Sequence, residues 1–576
     1  MLAFKSLPFF LVCLTGMLLC IDTEADFTLR TLTAPAATAL VLSLLTAWIP
    51  RVAHSVIQLL LGWTVLTVCL VDCYCQLFLG CSVTPQIMTT ILETDAREAR
   101  EFLSTFVGAS VFLKLRIDTL LALMLLLPIG LWLMDYRRLK IPNLPKGIKA
   151  ACLAVVLLCA AMEVGPTVRY CSMFNPRADQ TDTEGAIFSK RHREVPTPLH
   201  RTLFAWHTAR QSSRTFEAFS RLTYEAQVES ASRRSPHIVL VIGESFNKHH
   251  ASLYGYPLPT TPRQEARHDE GGLTIFTDVV SPWNITSSAF LHLFSVNREG
   301  AEKRIGECPL FPVLFRRAGY RVSFFSNQFV LRGLFRGPTN QAGHFFLSDS
   351  RLSDTLFDYR NPRKVHFDMG LVHMVERWRA EQPDTAFTLD IIHLMGQHFE
   401  YRERYPADEA RFGEADYRGR DLKGEALQTV MHYDNATLYN DRVVDSILTL
   451  YGNGETVVVY LSDHGDEVYD ELPVQGRQFR QPGKAEARNE FEVPLWIWCS
   501  PSYREAHPDV VEALRAAAGK PMMSDNVSQM LLWLAGIESA WTDEAQNPLS
   551  PAYRGHKRVI AGSVDYDAVM SSKILR

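Results

Sequence analysis

The sequence predicts two architectures in one chain. An N-terminal α-helical membrane domain with five transmembrane helices occupies residues 1–165, and an α/β sandwich with a largely parallel central sheet occupies residues 236–576. A linker at 166–235 joins them. Three observations carry this expectation. Apolar runs dominate the first part of the chain and give way to ordinary globular composition near Gly165. Two continuous, mostly β-branched runs, His237-Ile-Val-Leu-Val-Ile-Gly243 and Thr456-Val-Val-Val-Tyr-Leu-Ser462, read as strands buried on both faces. From Pro236 onward, strand-like segments alternate with helical ones, the pattern of a parallel sheet with crossover helices.

The apolar segments are 7–21, 34–49, 56–79, 119–134 and 148–164. Several fall short of the roughly 20 residues that a spanning helix needs, and their flanks extend them. The first has Lys5 before an apolar run, as a signal peptide does. No small-residue cleavage site follows it and more spans come after, so it reads as a retained helix. Arg137, Arg138, Lys140, Lys146 and Lys149 crowd the loop between the fourth and fifth spans, which places that loop in the cytoplasm, with Arg51 on the same side. Five spans then put the amino terminus inside and everything after Gly165 outside. In a bacterial cell this is a multi-pass inner-membrane protein with a periplasmic domain.

Between the third and fourth spans, residues 85–107 set Ile87, Ile91, Phe102 and Leu103 against Glu93, Asp95, Arg97, Glu98 and Arg100, the pattern of an interfacial helix at the outer membrane surface. The linker is polar and basic. Its 196–222 stretch carries Leu199, Leu203, Phe204, Trp206, Phe216 and Phe219 among Arg and Ser, a surface-lying amphipathic helix whose cations suit either lipid headgroups or water. The net charge of -4 leaves no footprint for nucleic acid. Of the 11 cysteines only Cys171, Cys308 and Cys499 lie outside or beyond the apolar region, which excludes a disulfide framework and a zinc knuckle.

In the second domain the expected strands after 237–243 are 275–280, 320–325 (following a helix at 310–318), 385–392, 456–461 and 492–499. Open α/β sheets place their chemistry at the carboxyl ends of such strands. Glu244 follows the first strand, and Asp463-His464-Gly465-Asp466 follows the strand at 456–461. Two strands ending in metal-ligand types suggest one bound divalent cation. Asn284-Ile-Thr-Ser-Ser288 runs into a helix, where a hydroxyl meets aligned backbone N–H groups that also suit a phosphate; Thr and Ser are common N-caps as well. His393-Leu-Met-Gly-Gln-His398 stands at another strand end. The combination makes chemical sense, because a neutral Thr hydroxyl is a poor nucleophile until a divalent metal lowers its pKa, and the same metal screens a phosphoryl group.

At these residues the sequence resembles the bacterial phosphoethanolamine transferases of the alkaline phosphatase/sulfatase superfamily. The shared patterns are Gly243-Glu244-Ser245, Ser252-Leu-Tyr-Gly-Tyr-Pro257, Thr260-Thr-Pro262, Ser326-Asn327-Gln328, the His393–His398 run with Arg404-Tyr-Pro406, Tyr433-Asp434-Asn435, Tyr439-Asn-Asp441 and Ser462-Asp-His-Gly465. Together with the spans they cover nearly the whole chain. The resemblance implies that Thr286 is the nucleophile holding a phosphoethanolamine intermediate, and that Glu244, Thr286, Asp463 and His464 ligate Zn2+, with Mn2+ or Mg2+ as alternatives. It implies substrate contacts from His398, Asn327, Thr94 and Glu98, the last two on the interfacial helix, although Thr90 stands where an Asn is common. Phosphatidylethanolamine would be the donor, and lipopolysaccharide (lipid A or core) or a periplasmic glycan the acceptor.

Two departures narrow the resemblance. Lipid A-modifying members carry disulfides flanking the nucleophile, whereas Pro282 and His292 stand there; the chain resembles the cysteine-poor branch that decorates core sugars or glucans. Asn489, Glu490 and Glu492 precede Val493-Pro494 where a metal-binding His is common, which leaves a second metal site unsupported. The alternatives are a lipoteichoic-acid-synthase-like glycerol phosphate transferase, opposed by the interfacial helix and the Ser-Leu-Tyr-Gly-Tyr-Pro pattern, and a periplasmic sulfatase or phosphatase-type hydrolase, opposed as a sulfatase by the missing Cys/Ser-x-Pro-x-Arg signature. A catalytically dead anchor is disfavoured by the intact Glu244, Thr286, Asp463 and His464.

Overall fold

The computed structural model describes residues 7–21, 30–47, 49, 51–79, 82–84, 87–88, 91, 99–100, 114–135, 145–172, 197–301, 303, 307–329, 347, 350–383, 387–478 and 481–572. The chain forms two compact units, one of Met1–Thr94, Phe102–Gln211 and Gln478–Arg480, the other of Asp95–Glu101, Ser212–Arg477 and Gln481–Arg576. Most of the expected interfacial helix, including Thr90, Thr94 and Glu98, lies outside the described residues.

In the first unit, helices α1 (Leu7–Leu19), α2 (Arg30–Ala47), α3 (Arg51–Phe78), α4 (Leu115–Asp135) and α5 (Lys146–Ser172) fall on the five apolar segments. Among the described residues, Ala53–Phe78 and Leu115–Trp132 are the two stretches long and apolar enough to cross a membrane; Leu7–Leu19 and Thr31–Thr46 are shorter apolar helices. Phe9, Met17, Leu66, Leu120 and Leu127 pack the interior. Leu125, Leu126, Ile129 and Trp132 of α4 and Val155, Leu158 and Val164 of α5 face outward. Such outward-facing apolar side chains suit a hydrocarbon surround.

Helix α6 (Pro198–Glu225) begins in this unit with Leu203 and Trp206 exposed, and one of its basic residues turns inward. Arg201 is buried against α3, its Nη2 2.5 Å from Asp72 Oδ2 and its Nε 3.0 Å from Asp72 Oδ1. Asp72 Oδ1 also accepts the Val83 N–H at 3.0 Å. An unpaired carboxylate inside an apolar helix bundle is costly, so the basic linker residue is drawn in by charge rather than left to solvent.

The second unit is built on a seven-stranded sheet. Its strands are β1 (His237–Gly243), β2 (Leu273–Phe276), β3 (Arg321–Ser326), β4 (Tyr359–Arg360), β5 (Thr388–His393), β6 (Thr456–Ser462) and β7 (Leu495–Cys499), in spatial order β2-β7-β6-β1-β5-β3-β4. Alternate residues of β1 supply opposite cores: Ile238, Leu240 and Ile242 join one cluster, Val239 and Val241 the other. This two-sided burial explains why the strand reads as an unbroken apolar run. Helices α7 (Thr286–Phe294), α8 (Asp368–Ala380) and α9 (Gly424–Leu450) belong to the same unit.

The sheet is mixed. Strands β4, β3, β5, β1 and β6 are parallel, while β7 pairs antiparallel with both β6 and β2. The chain reaches β7 from β6 through a two-stranded hairpin (Glu467–Val468 with Gln475–Gly476) rather than a long crossover helix, and an antiparallel return needs none. The expected strand at 275–280 divides in two, and Val279–Val280 pairs instead with Met522–Met523. The expected strand at 492–499 begins only at Leu495, because Pro494 has no N–H to give a ladder.

Candidate active site

Four side chains converge where β1 and β6, neighbours in the sheet, both end. Glu244 follows β1, Asp463 and His464 follow β6, and all three are fully or almost fully buried. One ligand-type atom from each lies within 4.8 Å of the others. Thr286 is the first residue of α7, whose Phe290, Leu293 and Phe294 anchor the helix in the core. Its Oγ1 donates to Glu244 Oε1 at 3.1 Å and lies 3.3 Å from His464 Nε2. A hydroxyl is thereby held at a helix N-terminus, where backbone N–H groups attract anions.

The backbone around Glu244 is tightly specified. Ser245 adopts a left-handed conformation at φ +56°, held by its N–H to Asp463 Oδ1 (3.1 Å) and by the Tyr433 hydroxyl donating to its carbonyl (2.8 Å). Gly396, at φ +47°, passes so close that a Cβ there would lie 3.0 Å from the Glu244 nitrogen. Gly465 likewise lets the turn after β6 touch the Asn489 carbonyl, into which a Cβ would run.

The electrostatics fit a cation. Burial opposes ionisation of Glu244, but the His393 imidazole beside it overcomes this and holds its carboxyl well below the usual range. Burial and the Glu244 charge push Asp463 well above it. Two carboxyls buried side by side favour a positive charge between them, and Asp463 Oδ2 has no hydrogen-bond partner. His464 Nδ1 faces the Gly465 carbonyl at 2.8 Å, which makes Nδ1 the protonated nitrogen and leaves the Nε2 lone pair on the pocket side. Carboxylate, carboxylate and imidazole with a nearby hydroxyl form a donor set suited to zinc.

His398 is buried, and burial together with the Arg404 and Arg477 charges holds its imidazole neutral despite Glu244; its Nδ1 has no hydrogen-bond partner. The Asn327 side chain is engaged elsewhere, donating to Asp368 Oδ1 and accepting from the Val365 N–H, both at 2.8 Å. Asn489, Glu490 and Glu492 are also committed, to Glu467, to Asn284, and to Lys248 with Tyr566 respectively. Among the described residues Glu244, Asp463 and His464 form the one such ligand cluster.

Two residues join the site without having been assigned to it from sequence. His393, at the end of β5, places Nε2 3.6 Å from Glu244 Oε2, with Nδ1 against Ser326 Oγ at 3.0 Å. Its position at a strand end beside β1 was a usable signal. Arg477 donates from Nη1 to His464 Nε2 at 2.7 Å, and nothing in its Gln-Gly-Arg-Gln setting marks it.

The sulfatase family model matches residues 236–537. The chain is 26% identical over 526 residues to the phosphoethanolamine transferase EptC of Escherichia coli K12, covering 86% of this chain and 84% of that one. The solved C-terminal periplasmic domain of the E. coli EptC protein, in complex with zinc, superposes with a TM-score of 0.52 at 26% identity, covering 60% of this chain and 96% of that domain. The integral membrane lipooligosaccharide phosphoethanolamine transferase EptA of Neisseria meningitidis shares the fold across 95% of this chain and 97% of its own, with a TM-score of 0.58 at 18% identity.

Proposed function

The chain belongs to the sulfatase family, and we propose that it is a membrane-bound transferase that moves phosphoethanolamine from phosphatidylethanolamine to a lipopolysaccharide or other envelope glycan acceptor. The observation that carries this reading is the Thr286 hydroxyl, 3.1 Å from Glu244 and 3.3 Å from His464 at a helix N-terminus. Relatives named as phosphoethanolamine transferases, matched along most of the chain, support it. In this reading the first unit spans the membrane five times, residues 166–235 link it to a periplasmic catalytic domain, and Thr94 and Glu98 meet the donor headgroup.

Glu244, Asp463 and His464, with Thr286 completing the set, would hold one zinc ion. When bound, it supplies a Lewis acid that makes a nearby hydroxyl more acidic and offsets phosphoryl charge. The chain's own residues do the rest. Glu244 accepts the Thr286 hydroxyl hydrogen and fixes the direction of the oxygen lone pairs. In the first transfer the Thr286 Oγ–phosphorus bond forms and the bond from phosphorus to the glycerol oxygen breaks; diacylglycerol leaves with the proton that Thr286 gave up. In the second, the acceptor oxygen bonds to phosphorus, the Oγ–phosphorus bond breaks and Thr286 regains a proton. The first-turn N–H groups of α7 bind non-bridging oxygens in both. Neutral His398, with a bare Nδ1, is suited to carry the proton.

The test is a side-by-side incubation of full-length wild type and Thr286→Ala in detergent with zinc and fluorescent phosphatidylethanolamine. Diacylglycerol release and a mass gain of one phosphoethanolamine group are expected for wild type alone. Equal release from Thr286→Ala would remove the nucleophile assignment, and a wild type with neither release nor adduct would remove the donor.

A further inference from the structure

Arg477 follows the hairpin that returns the chain to the end of β6. Its side chain is only 15% exposed, and its Nε lies 3.4 Å from Asp466 Oδ1. The Tyr401 hydroxyl holds the other oxygen of Asp466 at 2.8 Å, so the ion pair is braced from a separate segment. From this anchor Nη1 reaches His464 Nε2 at 2.7 Å, and that same nitrogen is 3.3 Å from Thr286 Oγ1. The guanidinium and the hydroxyl therefore both lie against one imidazole nitrogen, Nη1 and Oγ1 no more than 6.0 Å apart (2.7 Å plus 3.3 Å).

Charge and hydrogen bonding give this placement a role. Glu244, Asp463 and Asp466 bring three carboxylates to the pocket. One divalent cation leaves them a net negative charge, which would repel a phosphodiester; the fixed guanidinium cancels it. The His464 Nε2 lone pair serves one partner at a time. A cation held there would displace the Arg477 N–H from that lone pair, and the Asp466 ion pair at Nε would keep the guanidinium beside the pocket. A planar guanidinium matches two oxygens of a phosphoryl group.

We propose that Arg477 binds the non-bridging phosphoryl oxygens of the donor headgroup and of the Thr286 adduct, giving this site, with a single metal, the positive charge that a second metal would otherwise bring. The proposal deepens the transferase reading and rests on it for the identity of the phosphoryl group.

Full-length protein in detergent is compared as wild type, Arg477→Gln, Arg477→Lys and the pair Asp466→Asn/Arg477→Gln, which leaves no lone buried charge if the single variant fails to fold. Zinc content, binding of inorganic phosphate and the Thr286 adduct mass are read for each. One zinc per chain is expected in wild type and in every folded variant. Phosphate affinity should fall about tenfold or more in Arg477→Gln and in the pair, the size of one lost charge-assisted contact, and less in Arg477→Lys. Unchanged phosphate affinity, two zinc ions in wild type, or loss of zinc with Arg477→Gln would each overturn the proposal, the last reducing Arg477 to a positioning residue for His464. If wild type forms no adduct while phosphate binding still depends on Arg477, the donor reading fails and the anion site stands.

Discussion

The Ser245 N–H donates to Asp463 Oδ1 at 3.1 Å, joining the ends of β1 and β6 across 218 residues of chain. The bond orients the one carboxylate oxygen that the backbone uses and leaves Oδ2 bare toward Glu244 and His464. The two strand ends thus hold their carboxyls side by side in a buried setting.

Removing the metal should therefore destabilise the protein. A saturating chelator is expected to lower the melting temperature reversibly. At a zinc concentration about 100-fold above the dissociation constant, the metal contributes about 2.7 kcal/mol. Asp463→Asn should bind little zinc and lose this shift. Differential scanning calorimetry with and without zinc checks it, and an Asp463→Asn that keeps the full zinc-dependent shift would exclude Asp463 as a ligand.

Gly396→Ala probes the close approach behind Glu244. The added Cβ would sit 3.0 Å from one backbone atom of Glu244 and 3.1 Å from another, at a positive φ that alanine resists. We expect about 2 kcal/mol or more of lost stability together with weaker zinc binding, because the strand end must shift. Urea unfolding and metal content measure the two effects. Loss of stability with unchanged zinc affinity would show that Glu244 does not depend on this contact.

His250 gives a pH dependence away from the metal site. Burial disfavours its charge, but Asp470, with Nε2 at 3.0 Å, and Asp434, with Nδ1 at 2.6 Å, raise its pKa to about 10. The rings of Tyr256 and Tyr433 pack against it, and Arg420 also pairs with Asp470 at 3.6 Å. The folded pKa lies above the unfolded value of about 6.5, so its stabilisation is complete below that value and is lost as pH rises toward 10. Between those limits wild type should lose about 1.4 kcal/mol per pH unit relative to His250→Gln, measured by denaturant unfolding across pH 7–10. Parallel pH profiles for the two proteins would refute the assignment.

Arg201→Met should leave Asp72 buried without its partner, at a cost of about 3–5 kcal/mol, and Asp72→Asn added to it should recover most of the loss. Thermal unfolding in detergent distinguishes this pair from a dispensable surface contact, for which the single variant would be neutral.

Much of the site was legible because its parts are local. Glu244 and the Asp463-His464 pair each follow a continuous apolar strand, and strand identity and strand end are both readable from neighbouring residues. Thr286 was legible from its place before a short amphipathic helix and from the resemblance. Asn327 shows the limit of a motif: its amide is occupied by Asp368 and Val365, a fact about partners 41 and 38 residues away. The antiparallel β7 was not legible either, since an apolar pentapeptide carries no sign of its direction.

The sequence by itself determined which segments are apolar, which strands are buried on both faces, and which ligand-type residues stand at their ends, because periodicity and turn chemistry act over a few residues. Only the tertiary structure decided that β1 lies beside both β5 and β6, and so brings Glu244 to Asp463, His464 and His393. It alone turned Arg477 toward His464 and drew Arg201 inward to Asp72. Those choices depend on burying charge beside opposite charge across long stretches of chain, and no local pattern encodes them.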